Sequence, residues 1–408
     1  MTIDNSLFSK EYSSPIIRQI NQAACKIPWK ESISLWLWQL WDGFDIAPEI
    51  IEVLQWSIKD LSEWKNTSVM YSPNSGLASL RVEVAKKQSL KDGKEYDMEN
   101  VGITIWVQNA MQATIWVLRQ NGAKRVLIPE INFWIYKKIP VSYNMEVITY
   151  KLNDDYSIDL GDLEWKLKKD DLIIFNSPAN PTWKVLSEQE VGQLWDLLEN
   201  KLTEWYVVSD EIYDELVYEQ WKQTTSISKY FDRIITLNWV SKSWAMAGNR
   251  VGWVVSSNKD FIKAFVSFNT NQISSPPTLS QLMTLPVVKW KTIETIEKYK
   301  QILLNNRKYV INVFDRLGID YTKPEWSFYI FPKIIDKVPN PKTNRSIYKF
   351  CYDLAAQENG VVVIPWEAFW NTDKSKENVR ISLAVSEEKF QYGIDRLITA
   401  LKNNWKIY

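Results

Sequence analysis

The sequence predicts an α/β fold: a large domain with a mainly parallel mixed sheet flanked by helices, plus a smaller α+β domain toward the C-terminus. Three observations predict it. Between residues 46 and 285, short apolar runs rich in Val and Ile alternate with helix-length stretches, the pattern of a parallel sheet with crossover helices. A long helical pattern then covers residues 292–318 and stops at Gly318. Beyond it, "FYIFPKII" and "VRISLAVS" read as strands of a second unit. Residues 46–285 are therefore expected to form the large domain. Residues 1–45 and 286–408 are expected to form the small one.

Taken in order, residues 1–45 read as a helix and an extended arm. The candidate strands follow: "VGITI" (101–105), "RVLIP" (125–129), "MEVITY" (145–150), "DLIIFN" (171–176), "WYVVSD" (205–210), "RIITLN" (233–238) and "RVGWVVSS" (250–257). β-Branched residues suit a pleated, buried surface. The chain shows no internal repeat and no low-complexity tract.

Composition narrows the function. Lysine plus arginine equals aspartate plus glutamate, 49 each, in 408 residues. That balance argues against a broad nucleic-acid or anionic-membrane surface. The polar opening "MTIDNSLFSKEYSSP" has no apolar signal core, and no apolar run is long enough to span a bilayer. Two cysteines, Cys25 and Cys351, make neither a CxxC pair nor a disulfide framework, so a cytoplasmic protein is expected. Histidine is absent, which removes Ser-His-Asp and Cys-His nucleophile schemes and histidine-based zinc sites. No metal site is expected, and base chemistry falls to Lys, Asp, Glu or Tyr.

In open α/β sheets, ligands bind beyond the carboxyl ends of the strands. Four polar clusters stand at such ends: "WVQNAMQ" (106–112), "NSPANPT" (176–182), "SDEIYDELVY" (209–218) and "SKSWAMAGNR" (241–250). With "NVRISLA" near the C-terminus, their order and spacing resemble the fold type I, class I/II aminotransferases that use pyridoxal 5′-phosphate. The resemblance covers nearly the whole chain.

The resemblance implies a role for each matched residue. Lys242 takes the covalent link to the cofactor aldehyde and, once freed, the proton transfer at the substrate Cα. Asp210 sits against the pyridine nitrogen and keeps it protonated. Asn180 and Tyr213 hydrogen-bond the ring oxygen. Ser241 and Arg250 bind the phosphate, with backbone N–H groups of Trp106, Val107 and Gln108 completing the cradle. Phe133 stacks on the ring. Tyr71 reaches the phosphate in a partner subunit, which implies a homodimer. Arg380 grips the substrate carboxylate with its planar fork, and Trp38 and Asn180 border the substrate. The implied reaction moves an amino group from an L-amino acid to a 2-oxo acid. A β-lyase or synthase on the same scaffold remains open from the residues alone. A regulator of the same fold needs a DNA-binding segment for which the first 45 residues leave little room.

Tryptophan is anomalous. The chain has 22 tryptophans and only 12 glycines, where ordinary glycine usage of ~7% predicts more than twice as many. The family pattern expects glycine at Trp38, Trp106, Trp183, Trp239, Trp326, Trp366 and Trp370, and Trp244 beside Lys242 is read the same way. Three readings compete: genuine indoles with a packing or non-catalytic binding role, a decayed enzyme, or UGA codons that the cell reads as glycine. Decay would not target one residue type while leaving Lys242, Asp210, Arg250 and Arg380 in place. The codon reading is favoured, because it also restores the glycine total. Trp253, in "RVGW", is expected to be genuine.

Overall fold

A computed structural model describes residues 16–25, 33–35, 40, 42–201, 206–215, 226–322, 328–334, 347–358, 360–369 and 378–402. The seven expected strands form one sheet. They are β1 (Val101–Thr104), β2 (Arg125–Pro129), β3 (Glu146–Tyr150), β4 (Leu172–Asn176), β5 (Val207–Asp210), β6 (Ile234–Trp239) and β7 (Gly252–Ser256). Their order is β1-β7-β6-β5-β4-β2-β3, parallel throughout except for β7, which runs antiparallel to both its neighbours. Every residue of β1, β5, β6 and β7 is buried, as expected of strands covered on both faces. The last expected strand starts later than its sequence suggests. Arg250 takes a left-handed conformation (φ 54°), which turns the chain before Gly252 can enter the sheet.

Strand register gathers the polar ends. Asn176, Asp210 and Leu237 lie in one row across β4, β5 and β6. Thr104, Gly252 and Trp239 lie in a second row across β1, β7 and β6. The segments leaving these rows carry Asn180, Tyr213, Lys242, Trp106 and Arg250. Sequence separations of up to 150 residues therefore collapse onto one edge of the sheet.

The second unit is a four-stranded antiparallel sheet of Ile364–Pro365, Val379–Ser382, Tyr329–Pro332 and Tyr321–Thr322, in that order. The helices Ile16–Cys25, Ile347–Ala355 and Glu387–Lys402 contribute to its apolar core, and Ile33–Ser34 pairs in parallel with Val361–Val362. The long helix Ile293–Leu317 ends on left-handed Gly318, as its sequence predicts. The same core contains Trp183 and Tyr213 from the large sheet's loops, packed on Phe328 and Tyr329. The two units therefore meet at the sheet edge that carries the polar ends. Val287, Val288 and Ile296 pack instead with Val101, Ile103 and Val255 of the large unit. Among the described residues, no helix is long and apolar enough to cross a membrane, and no group of acidic or cysteine side chains could hold a metal ion.

Candidate active site

Asp210 ends β5 and is fully enclosed. The Tyr136 hydroxyl donates to its Oδ2 at 2.6 Å. No described side chain donates to Oδ1, which is buried all the same. Burial pushes the carboxyl up to about 7, against the pull of Tyr136. A buried carboxylate oxygen without a donor is costly, and it marks where a cationic or N–H donor is wanted.

Lys242 follows β6 and is 7% exposed. Its Nζ lies 5.8 Å from the Tyr213 ring centroid and 5.6 Å from that of Trp239. Burial lowers the amine to about 7, and the nearby Arg380 cation adds to the effect. A substantial neutral fraction at neutral pH makes this amine a nucleophile.

Asn176 and Asn180 tie the two units together. Asn176 Nδ2 donates to the Asp210 carbonyl at 2.9 Å, and its Oδ1 accepts from the Asn180 backbone N–H at 2.8 Å. Asn180 Oδ1 accepts from Arg380 Nη1 at 3.0 Å, and the Asn180 side chain also bonds the Tyr213 phenol. Arg380 lies on Val379–Ser382 of the small sheet, almost wholly buried, with its guanidinium 4.1 Å from the Tyr329 ring centroid and 5.0 Å from that of Phe369. A buried cation held over aromatic faces, with its fork directed to Asn180, suits a small carboxylate.

The opposite end of the site holds buried hydroxyls and a stacked arginine. Ser241 Oγ and Ser243 Oγ are buried with no hydrogen-bond partner among the described residues. Trp106 precedes the helix Val107–Gln120 and gives it no side-chain cap. Arg250 donates to the Ala247 carbonyl at 2.5 Å. Its guanidinium lies 4.3 Å from the Trp106 ring centroid and 5.2 Å from that of Trp239, and the two indoles meet edge-on at 6.4 Å.

Behind the site, the helix Ala78–Asp92 fastens the loop after β5. Lys91 Nζ donates to Glu211 Oε2 at 2.5 Å and to Asp214 Oδ2 at 2.7 Å, and Lys87 pairs with Glu215. Glu211 also accepts from Ser209 at 2.8 Å and from Ser226. Asp210 and Tyr213 belong to this clamped segment.

The structure thus brings together Lys242, Asp210, Tyr213, Asn180, Ser241, Arg250, Trp106 and Arg380. Val107 and Gln108 open the helix beside them. Phe133 is half-buried and packs on Trp134 and Tyr136. Tyr71 is 90% exposed and lies apart from the cluster within one chain. Trp38, Trp326 and Trp370 lie outside the described residues. Trp244 differs from Trp239 in having a partner of its own: its indole N–H donates to Thr292 Oγ1 at 3.1 Å. Sequence reasoning missed Tyr136, Asn176, Ser243 and Lys91. A signal existed only for Asn176 and Ser243, which sit inside motifs already singled out.

Comparisons with known proteins agree with this geometry. The family described as aminotransferase class I and II matches residues 47–397. An aspartate aminotransferase of Pyrococcus abyssi is 29% identical, covering 81% of this chain and 84% of its own. Aromatic-amino-acid aminotransferase 2 of Thermococcus litoralis is 30% identical, with the same coverage. The crystal structure of an aromatic aminotransferase from Pyrococcus horikoshii superposes with a TM-score of 0.77 at 25% identity, over 94% of this chain and 99% of that one. The family works with pyridoxal 5′-phosphate. The polar groups present fit that cofactor: Asp210 Oδ1 as an acceptor, the neutral-leaning Lys242 amine, and the unpartnered Ser241 and Ser243 hydroxyls near Arg250. The indoles of Trp106 and Trp239, which cover Arg250, do not fit it.

Proposed function

The chain belongs to the class I and II aminotransferases, and on that premise we propose that it moves the amino group of an L-amino acid to a 2-oxo acid, with Lys242 holding pyridoxal 5′-phosphate. The observation that carries this reading is the pairing of two buried, mutually compensating groups at adjacent strand ends. They are the Lys242 amine and the Asp210 carboxyl, each brought to about 7 mainly by burial.

When bound, the cofactor supplies an electron sink for the bond to the substrate Cα hydrogen. The protein's own groups do the rest. Asp210 Oδ1 is available to the ring nitrogen, while Tyr136 holds Oδ2 in place. Lys242, the buried amine beside Asp210 and Tyr213 among the described residues, would take the proton from the substrate Cα and return it. Arg380 would hold the substrate carboxylate with Asn180, its hydrogen-bond partner, alongside, and Asn180 and Tyr213, themselves bonded, would hold the ring oxygen. Ser241, Arg250 and the N–H groups of residues 106–108 bind the phosphate. Phe133 would border the ring.

The same reading makes the large domain (46–285) the cofactor platform and the remainder (1–45 and 286–408) a cover that brings Arg380 to substrate. It also makes the protein a homodimer. Ile51, Trp56, Ile58, Val69 and Met70 leave an exposed apolar face around Tyr71. A second copy covering that face would carry Tyr71 to its partner's phosphate site. The two cysteines are unpaired, which suits a cytoplasmic setting.

Protein purified from its own cells tests the reading. It should show the visible band of lysine-bound cofactor, lost in Lys242→Ala, and should pass amino groups from a panel of amino acids to 2-oxoglutarate. Release of keto acid and ammonia with no acceptor consumed would replace the transfer reading with a lyase.

A further inference from the structure

The fold ends several helices in one way. At each, residue i takes φ > 0, its N–H bonds the carbonyl of i−3, and the next N–H bonds the carbonyl of i−4. This Schellman arrangement calls for glycine, or asparagine as second choice, because a Cβ there meets the backbone. Gly122 and Gly318 fill it, and Asn144 fills it at φ 55°. Two further helices end in the same bonds. Trp64 bonds Leu61 at 3.1 Å and Lys65 bonds Asp60 at 3.1 Å, while Trp290 bonds Val287 and Lys291 bonds Pro286, both at 3.0 Å. Trp64 stands at φ 59° and Trp290 at φ 58°. A third left-handed indole, Trp183 at φ 60°, closes the tight turn that sets Asn180, its N–H on the Ala179 carbonyl at 2.7 Å. Tryptophan is among the residues least suited to this conformation.

Side-chain chemistry gives an independent sign. A buried indole N–H ordinarily finds an acceptor. Trp183 Nε1 and Trp239 Nε1 are buried with no acceptor among the described residues, whereas Trp244 Nε1 has Thr292. Trp239 and Trp106 also cover the face of Arg250, a charged side chain at the phosphate end of the site. Asp210, Lys242, Ser241 and Arg250 are placed for an anionic ring cofactor, and two indoles stand in its way.

We propose that the working protein carries glycine at residues 64, 106, 183, 239 and 290, through codons the cell reads as glycine, and keeps tryptophan at 244. Glycine at 106 and 239 uncovers Arg250 and lets the backbone approach a phosphate. That part rests on the cofactor reading above, while the backbone part at 64, 183 and 290 does not.

Peptide mass spectrometry of the protein from its own cells, beside the gene sequence, tests the assignment directly. Peptides with glycine at 64, 106, 183, 239 and 290 and tryptophan at 244 are expected, with UGA codons at the five positions. Tryptophan at 64, 183 or 290 overturns the backbone argument, and tryptophan at 106 or 239 overturns the phosphate argument. A second arm compares recombinant chain bearing all five tryptophans with the Trp106→Gly/Trp239→Gly variant. Circular dichroism checks that both fold. Titration with pyridoxal 5′-phosphate, followed by visible absorbance, should give at least tenfold tighter binding to the variant. Equal affinity overturns the role given to positions 106 and 239. If glycine is found by mass and yet neither folded chain binds, the cofactor reading fails while the residue assignment stands.

Discussion

Replacing Lys91 by methionine tests whether the ionic clamp behind the site holds the catalytic loop. Lys91 is buried and reaches two carboxylates, Glu211 at 2.5 Å and Asp214 at 2.7 Å. Those two anions hold its amine protonated well above its ordinary range in spite of burial. Methionine keeps the stem and removes the charge. Glu211 and Asp214 are then left as buried carboxylates without their shared cation. Stranding a buried ionic partner costs ~3–5 kcal/mol, and here one cation serves two anions, so the upper part of that range is expected. Denaturant unfolding, followed by circular dichroism, reads the loss.

The companion change separates charge from packing. Adding Glu211→Gln to Lys91→Met removes one stranded anion and should return more than half of the loss. The Glu211 charge also raises the neighbouring Asp210 carboxyl. The double change, which removes that charge, should therefore move the pH dependence of cofactor absorbance downward. A loss below ~1 kcal/mol, or a double variant no more stable than the single one, would refute the clamp.

Three further outcomes follow from the geometry. Lys242 is lowered to about 7 by burial and by Arg380, so its rate of capturing pyridoxal 5′-phosphate should climb as pH rises toward 7 and level above it. Arg380→Met should shift that rise to higher pH, and an unmoved profile would count against the assigned cause. Asp210 is raised from 3.8 to about 7, so the cofactor-free fold gains from its proton at low pH. That contribution is complete below pH ~4 and lost as pH rises through 7, at ~1.4 kcal/mol per unit or roughly 4 kcal/mol in all. Asp210→Asn should flatten this window in urea titrations and, because the Asp210 charge raises the Lys242 amine, should lower that amine further below its ordinary range. Trp64 is 87% exposed and left-handed. Trp64→Gly should therefore stabilise the tryptophan-bearing chain by ~1 kcal/mol, the conformational gain less the added freedom of the unfolded chain. Trp64→Ala should not.

What the sequence discloses and what it withholds divide along one physical line. The seven strands were legible because buried parallel strands must be short and rich in Val and Ile, a property of each segment alone. Lys242, Asp210, Asn180, Arg250 and Arg380 were legible as a group because each stands in a short stretch whose spacing is itself the signal. Tyr136 was not: a helix tyrosine looks the same whether it packs or donates, and only the fold puts its hydroxyl 2.6 Å from Asp210. Lys91 was not, because Glu211 lies 120 residues away and strand register sets the meeting. The tryptophans show the same division most sharply. In the sequence, Trp239 and Trp244 are one letter five positions apart and invite one explanation. In the fold, Trp244 finds Thr292, 48 residues on, and is a supported indole. Trp239 finds no acceptor and covers Arg250. The composition shows that the chain is poor in glycine; backbone φ and the partners of buried indole N–H groups are what single out the positions proposed to carry it.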